Sequence, residues 1–133
     1  MWDEVMERVR VLILADTALS AVIGQAYRKA GSGDLQIPGM EWNLLSDVLT
    51  ELWAPMLVQF DIWTTTAANN RRAERRLRSL LHRPLPLQLD DVLMFTVFVD
   101  GNDLATPNRA NFVGRGVRFR FTPLRQQYAL PAH

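Results

Sequence analysis

Residues 56–82 read MLVQFDIWTTTAANNRRAERRLRSLLH, and a change of period inside this run decides the fold. From Met56 to Trp63 the apolar residues Met56, Val58, Phe60 and Ile62 fall on one face, while Leu57, Gln59, Asp61 and Trp63 fall on the other. That two-residue repeat belongs to a pleated strand with one core face. Thr64, Thr65 and Thr66 then offer side-chain oxygens to the unpaired amides of a helix start, and Ala67 to Leu81 contain no Gly or Pro. On that helix Ala73, Leu77, Leu80 and Leu81 make a narrow apolar stripe, with Arg71, Arg72, Arg75, Arg76 and Arg78 around the rest. The pattern predicts a strand followed by a helix that lies on the sheet with its basic side outward.

Working outward, Trp2, Val5, Met6, Val9, Leu12 and Ile13 recur at helical spacing, with Asp3, Glu4 and Glu7 near the positive end of the helix dipole. Asp16 caps a short second helix over 17–23, closed by Gly24. Residues 25–29 suit a short edge strand, and the Gly-Ser-Gly at 31–33 is a flexible loop lacking the Lys and Ser/Thr of a phosphate-binding loop. Met40, Trp42 and Leu44 alternate with Glu41 and Asn43 as a second strand, whose continuation through Val48 competes with a turn at Ser46 and Asp47, and residues 50–55 return the chain antiparallel to the central strand.

Pro84 and Pro86 end the basic helix, because proline removes a donor and restricts the residue before it. The run VLMFTVFV over 92–99 is apolar on both sides and reads as a central or interface strand with both faces covered. Residues 100–103 form a turn, 101–112 an extended loop, and 113–122 a returning strand with Val117, Phe119 and Phe121 opposite Arg118 and Arg120. Residues 123–133 lack a period and suit a C-terminal arm. The expectation is one α+β domain over 1–133: a mostly antiparallel sheet of about four or five strands with two helices packed on one face.

With 133 residues, no cysteine and 48% hydrophobic content, the chain can build a core without disulfides or a zinc ribbon. The opening acids do not suit a signal peptide, and no window approaches the roughly twenty apolar residues of a membrane span, so no membrane role is expected. The net charge of +1 hides an asymmetry. Acids outnumber bases before Ile62, whereas arginine dominates after it, through Arg83, Arg109, Arg115, Arg118, Arg120 and Arg125 as well as the helix. Two dissimilar surfaces of this kind suit head-to-side contact between copies.

Two stretches are similar to the small bacteriophage tail-terminator, or tail-completion, proteins. Gln59, Phe60, Asp61, Ile62, Trp63 and Thr64, followed by Ala67, Ala73, Leu77, Leu80 and Leu81, match that family's strand-then-helix segment. Leu14, Ala15, Asp16, Ala18, Leu19, Ala21, Ile23 and Gly24 match its opening "L-x-A-D-x-A-L-x-A-L-[VI]-G". The resemblance implies a structural virion protein that caps the tail tube as a ring, usually a hexamer, and provides the head-docking interface. Its implied partners are copies of itself, the tail tube protein and a head-completion or connector protein, with DNA passing through the lumen without specific binding. The implied location is the head-proximal end of the tail in the virion, and the host cytoplasm during assembly.

Chemistry by the common routes finds few residues here. No HExxH, GxSxG or Cys/His metal spacing occurs, His82 sits at a helix end suited to a dipole contact, and Asp100-Gly101-Asn102-Asp103 lacks the order and bidentate Glu of a calcium loop. No enzyme activity and no cofactor are expected. Another head–tail neck or connector protein is one alternative. A small nucleic-acid-binding module is the other, prompted by Arg115-Gly116-Val117-Arg118-Phe119-Arg120-Phe121 and the arginine helix, although Val117 stands where a stacking aromatic is needed. The expected interface residues are Arg71, Arg72, Arg75, Arg76 and Arg78, the loop residues Asn102, Asp103, Arg109 and Asn111, and the tryptophans Trp42, Trp53 and Trp63.

Overall fold

The computed structural model describes residues 2–45, 55–89, 92–107 and 110–124. The first helix, α1 (Trp2–Ala15), buries Trp2, Val5, Met6, Val9 and Ile13 along one stripe and carries Asp3 and Glu4 in its first turn. Asp16 breaks the helix and restarts it: its Oδ1 accepts from the Leu19 amide at 2.9 Å, capping α2 (Thr17–Ile23). Gly24, at φ 64°, takes a positive-φ conformation open to glycine and ends α2, while its amide donates to the Ser20 carbonyl at 2.9 Å. The chain is thereby turned into the sheet.

Six strands follow the order β1-β2-β3-β6-β5-β4, with β1 (Tyr27–Lys29), β2 (Gly39–Leu44), β3 (Met56–Thr64), β4 (Leu87–Leu89), β5 (Val92–Leu104) and β6 (Val113–Leu124). Among the described residues only β1 and β2 run parallel; the other neighbours are antiparallel, so the sheet is mixed. The third helix, α3 (Ala67–Leu81), carries the chain from central β3 to edge strand β4. Its first turn is capped by Thr66 Oγ1, which accepts from the Asn69 amide at 3.1 Å.

The core lies between one sheet face and the helices. Phe60 and Phe119 meet edge to face at 5.8 Å between centroids, and Phe98 meets Phe119 in the same way at 5.7 Å. Ile13, Leu19, Ile23, Leu77 and Leu81 close over them, all fully buried. Each such large side chain stabilises the fold by about 1.5–3 kcal/mol relative to exposure. The helix α1 touches both edges of the sheet, through Arg8 Nη1 donating to the Leu89 carbonyl at 3.4 Å and Lys29 pairing with Asp3 at 3.4 Å.

Several expectations change. Among the described residues the sheet has six strands rather than four or five, because the three-residue β4 that follows Pro84 and Pro86 is too short to register as a period, and three helices are present. Residues 100–103 are not a turn. They continue β5 past a bulge between Phe98 and Asp100, held by pairing to Arg118, Val117, Gly116 and Arg115, so that β5 ends only at Leu104. Nor is β5 covered on both faces: Phe95, Val97 and Val99 are 37%, 45% and 40% exposed on the side away from the helices. Continuation of β2 through Val48 lies outside the described residues, as does the arm beyond Leu124.

His82 does more than meet a helix dipole. Past Met94, β5 has no neighbouring strand on its β4 side among the described residues, and the C-terminal end of α3 lies there. The Phe98 amide donates to His82 Nδ1 at 3.0 Å, and Thr96 Oγ1 donates to the Leu81 carbonyl. A side chain thus covers an edge that would otherwise invite another strand.

Candidate interaction surfaces

The five arginines of α3 divide into two sets. Arg76 is bound to Asp16, Nε at 2.8 Å and Nη2 at 2.6 Å from Oδ2, joining α3 to the α1–α2 junction. These hydrogen bonds, more than the charge itself, hold the Asp16 carboxyl below its usual range, against the opposing effect of burial. Arg78 lies over the Phe98 ring at 3.9 Å and shields the aromatic core. Both are engaged within the fold. Arg71 and Arg75 are exposed without a partner among the described residues, and Arg72 has only a 3.4 Å bond to Asn69 Oδ1. With Ala68 these three line a shallow groove along one side of the helix, as the spacing 68, 71, 72, 75 dictates.

Arg71 also borders a second, deeper space. A cavity of about 490 Å³ opens between the first half of α3 and the β5–β6 ribbon, with Ala67 and Val113 among its lining. Across it Arg115 Nε donates to Glu74 Oε1 at 2.7 Å, and its Nη1 donates to Asp103 Oδ1 at 3.1 Å. Asn70 is 5% exposed. Thr64 Oγ1 donates to its Oδ1 at 2.5 Å, and the residue lines the cavity.

The face of the sheet away from the helices is the third surface. At its β1–β3 side lie Arg28, Glu41, Gln59 and Asp61, with Arg28 Nη2 3.3 Å from Glu41. Burial raises the Asp61 carboxyl above its usual range, with Glu41 adding to the rise, although Gln59 Nε2 donates to it at 2.7 Å and works the other way. Farther across, Arg118 binds Asp100 through both nitrogens and lowers that carboxyl chiefly by hydrogen bonding. Trp63 lies flat on Gly114 and meets Phe112 edge to face at 5.8 Å. Its indole nitrogen is buried without a partner among the described residues.

Of the expected interface residues, the structure places Arg71, Arg72 and Arg75 on one open stripe. Arg76 and Arg78 are turned to intramolecular work, and Asp103 is tied to Arg115. Asn102 and Asn111 are exposed, and Trp63 is half-buried. Trp42 is packed in the core, with the Lys29 ammonium 5.5 Å from its ring centroid. Trp53 and Arg109 lie outside the described residues. Asn70, Glu74 and Arg115 were not expected. Asn70 carried a signal, since it stands on the apolar stripe three residues before Ala73 and seven before Leu77, whereas Glu74 and Arg115 meet only through the sheet.

Among the described residues no group of three His, Cys, Asp or Glu side chains is placed to hold a metal ion. No described helix is long and apolar enough to cross a membrane. No protein-family model matches this chain, and no curated protein matches it in sequence. In three dimensions it is similar to a chain in a solved structure described as the virion of a native gene transfer agent particle. That likeness has a TM-score of 0.61 at 18% identity and covers 90% of each chain.

Proposed function

We propose that this chain is a structural virion protein, a tail terminator that closes the end of a tail tube as a ring of copies and presents a docking face to the head. The observation that carries the reading is the fold shared over 90% of both lengths with a chain from a virion particle, joined to the two sequence stretches similar to tail-terminator proteins. A ring needs a heterologous interface, in which one patch meets a different patch on the next copy. The stripe of Arg71, Arg72 and Arg75 and the acidic first turn of α1 are two such dissimilar patches. Asn102, Asn111 and Trp63 would contribute from the ribbon side. In this reading the chain acts as one domain, has no catalytic role, and meets a tube protein on one side and a head-completion protein on the other.

The unpaired guanidinium stripe also favours a second reading, a module that binds the phosphates of nucleic acid. Removing the chain from the particle that encodes it separates the two. The tail-terminator reading expects filled heads and unjoined tails of irregular length under the electron microscope. Normal joined particles without the chain would overturn it.

A further inference from the structure

On α3 the guanidiniums of Arg71, Arg72 and Arg75 stand at i, i+1 and i+4, and no carboxylate lines the groove of about 270 Å³ that they form with Ala68. This groove is the furrow between two rows of side chains four residues apart, 68–72 and 71–75. Its complement is a single row of the same spacing on another helix, with carboxylates about 6 Å apart, the rise of four residues.

The first helix displays that row. Asp3, Glu7 and Val11 are exposed at intervals of four, and with Glu4 the acids repeat the i, i+1, i+4 spacing of the three arginines. Both rows are exposed, so they do not meet within one molecule. Run antiparallel, they match along their length: Asp3 reaches Arg75, Glu7 reaches Arg71, and Val11, 66% exposed, falls on Ala68. The parallel orientation pairs the same charges but sets Val11 on Ser79, beside Arg75, Arg76 and Arg78.

The groups already beside these residues leave the match intact. Lys29 lies 3.4 Å from Asp3 and Arg10 3.9 Å from Glu7, exposed pairs that contribute little and exchange readily. Next to Arg71, Glu74 and Asp103 are both held by Arg115, and next to Arg75, Arg76 is held by Asp16. The α1 row keeps a net negative charge and the α3 groove a net positive one.

We propose that the row Asp3, Glu7, Val11 docks antiparallel in the arginine groove of a second copy. The two rows are different residues on different helices, so the contact can repeat from copy to copy. It rests on the self-assembly reading above for its purpose and gives the two patches a register.

Because the chain contains no cysteine, introduced cysteines report that register without background. Full-length Val11→Cys is mixed with either Ala68→Cys or Ser79→Cys, oxidised, and the mixed disulfide dimer is followed on a non-reducing gel. Ala68→Cys should be joined at least about tenfold faster than Ser79→Cys. Adding Glu7→Arg to the first chain should slow that joining about tenfold, and adding Arg71→Glu to the second should restore it. All these positions are exposed, and unchanged thermal unfolding checks that each variant is folded. Equal rates at the two positions, faster joining at Ser79→Cys, or no recovery on charge exchange would overturn the docking. So would retardation by short duplex DNA that Arg71→Glu abolishes, without a preferred disulfide, which would give the groove to nucleic acid. The tail-terminator reading is judged separately, by the particles formed without the chain.

Discussion

The two faces of this sheet come from the same strands but are stabilised differently. On the covered face Met56, Val58, Phe60 and Ile62 of β3 meet Val117, Phe119 and Phe121 of β6, and the helices close over them. On the bare face Leu57, Gln59, Asp61 and Trp63 stand beside Arg118, Arg120 and two glycines, with Phe95, Val97 and Val99 open to solvent on β5. The first face holds the molecule together by apolar burial. The second is tied by pairwise polar contacts and by Trp63 packed against Phe112, while the apolar side chains of β5 stay exposed. A residue's chemistry therefore predicts its task only once its face is known.

The sharpest way to break that contrast is a matched pair of substitutions on adjoining strands. Phe119→Ala should cost about 3–5 kcal/mol in urea unfolding, whereas Val97→Thr should stay within about 0.5 kcal/mol. Comparable losses would mean the bare face is covered within the monomer. Next comes Gly114→Ala, whose new Cβ would stand 2.3 Å from Trp63 Cζ3 and displace the indole. A loss of about 1–3 kcal/mol with a red-shifted tryptophan emission is expected; unchanged emission would show that Trp63 does not rest on that glycine.

Asp16→Ala should follow, costing about 0.5–2 kcal/mol through loss of the α2 cap. Its pH dependence has a definite sign. The folded-state carboxyl is held low, so its contribution is present above about pH 4 and is lost as pH falls through the folded value. Asp61 has the opposite sign: its carboxyl is raised, so its contribution is full below about pH 4 and is lost as pH rises through the folded value. Asp61→Asn should therefore unfold at a higher temperature than wild type at pH 7, with the difference shrinking toward pH 4. The smallest stability effect is expected of Arg75→Gln, which should leave the melting temperature unchanged while Arg76→Gln lowers it, because only Arg76 is engaged by Asp16.

Much of the architecture is legible in the sequence because long elements repeat their period several times over. The alternation through β3 and the stripe of α3 name the covered face residue by residue, and the Asp16 cap and Gly24 stop are local signals read directly. Short or interrupted elements escape. β4 has only three residues, directly after Pro84 and Pro86, and β5 runs through Gly101 and Asn102, which favour turns until β6 supplies their partners. The site is less legible, since the division of the arginines depends on Asp16 and Phe98 reaching α3 from distant segments. Composition alone reports five equivalent charges. Only packing distinguishes the guanidiniums already engaged from those left for a partner.

The most direct measurement is the native mass of the full chain by size exclusion with light scattering, taken across concentrations with and without short duplex DNA. A protein whose open surfaces serve copies of itself should converge on one closed oligomer whose mass DNA does not change. A chain that stays monomeric at every concentration and is retarded by DNA at moderate salt would contradict that role.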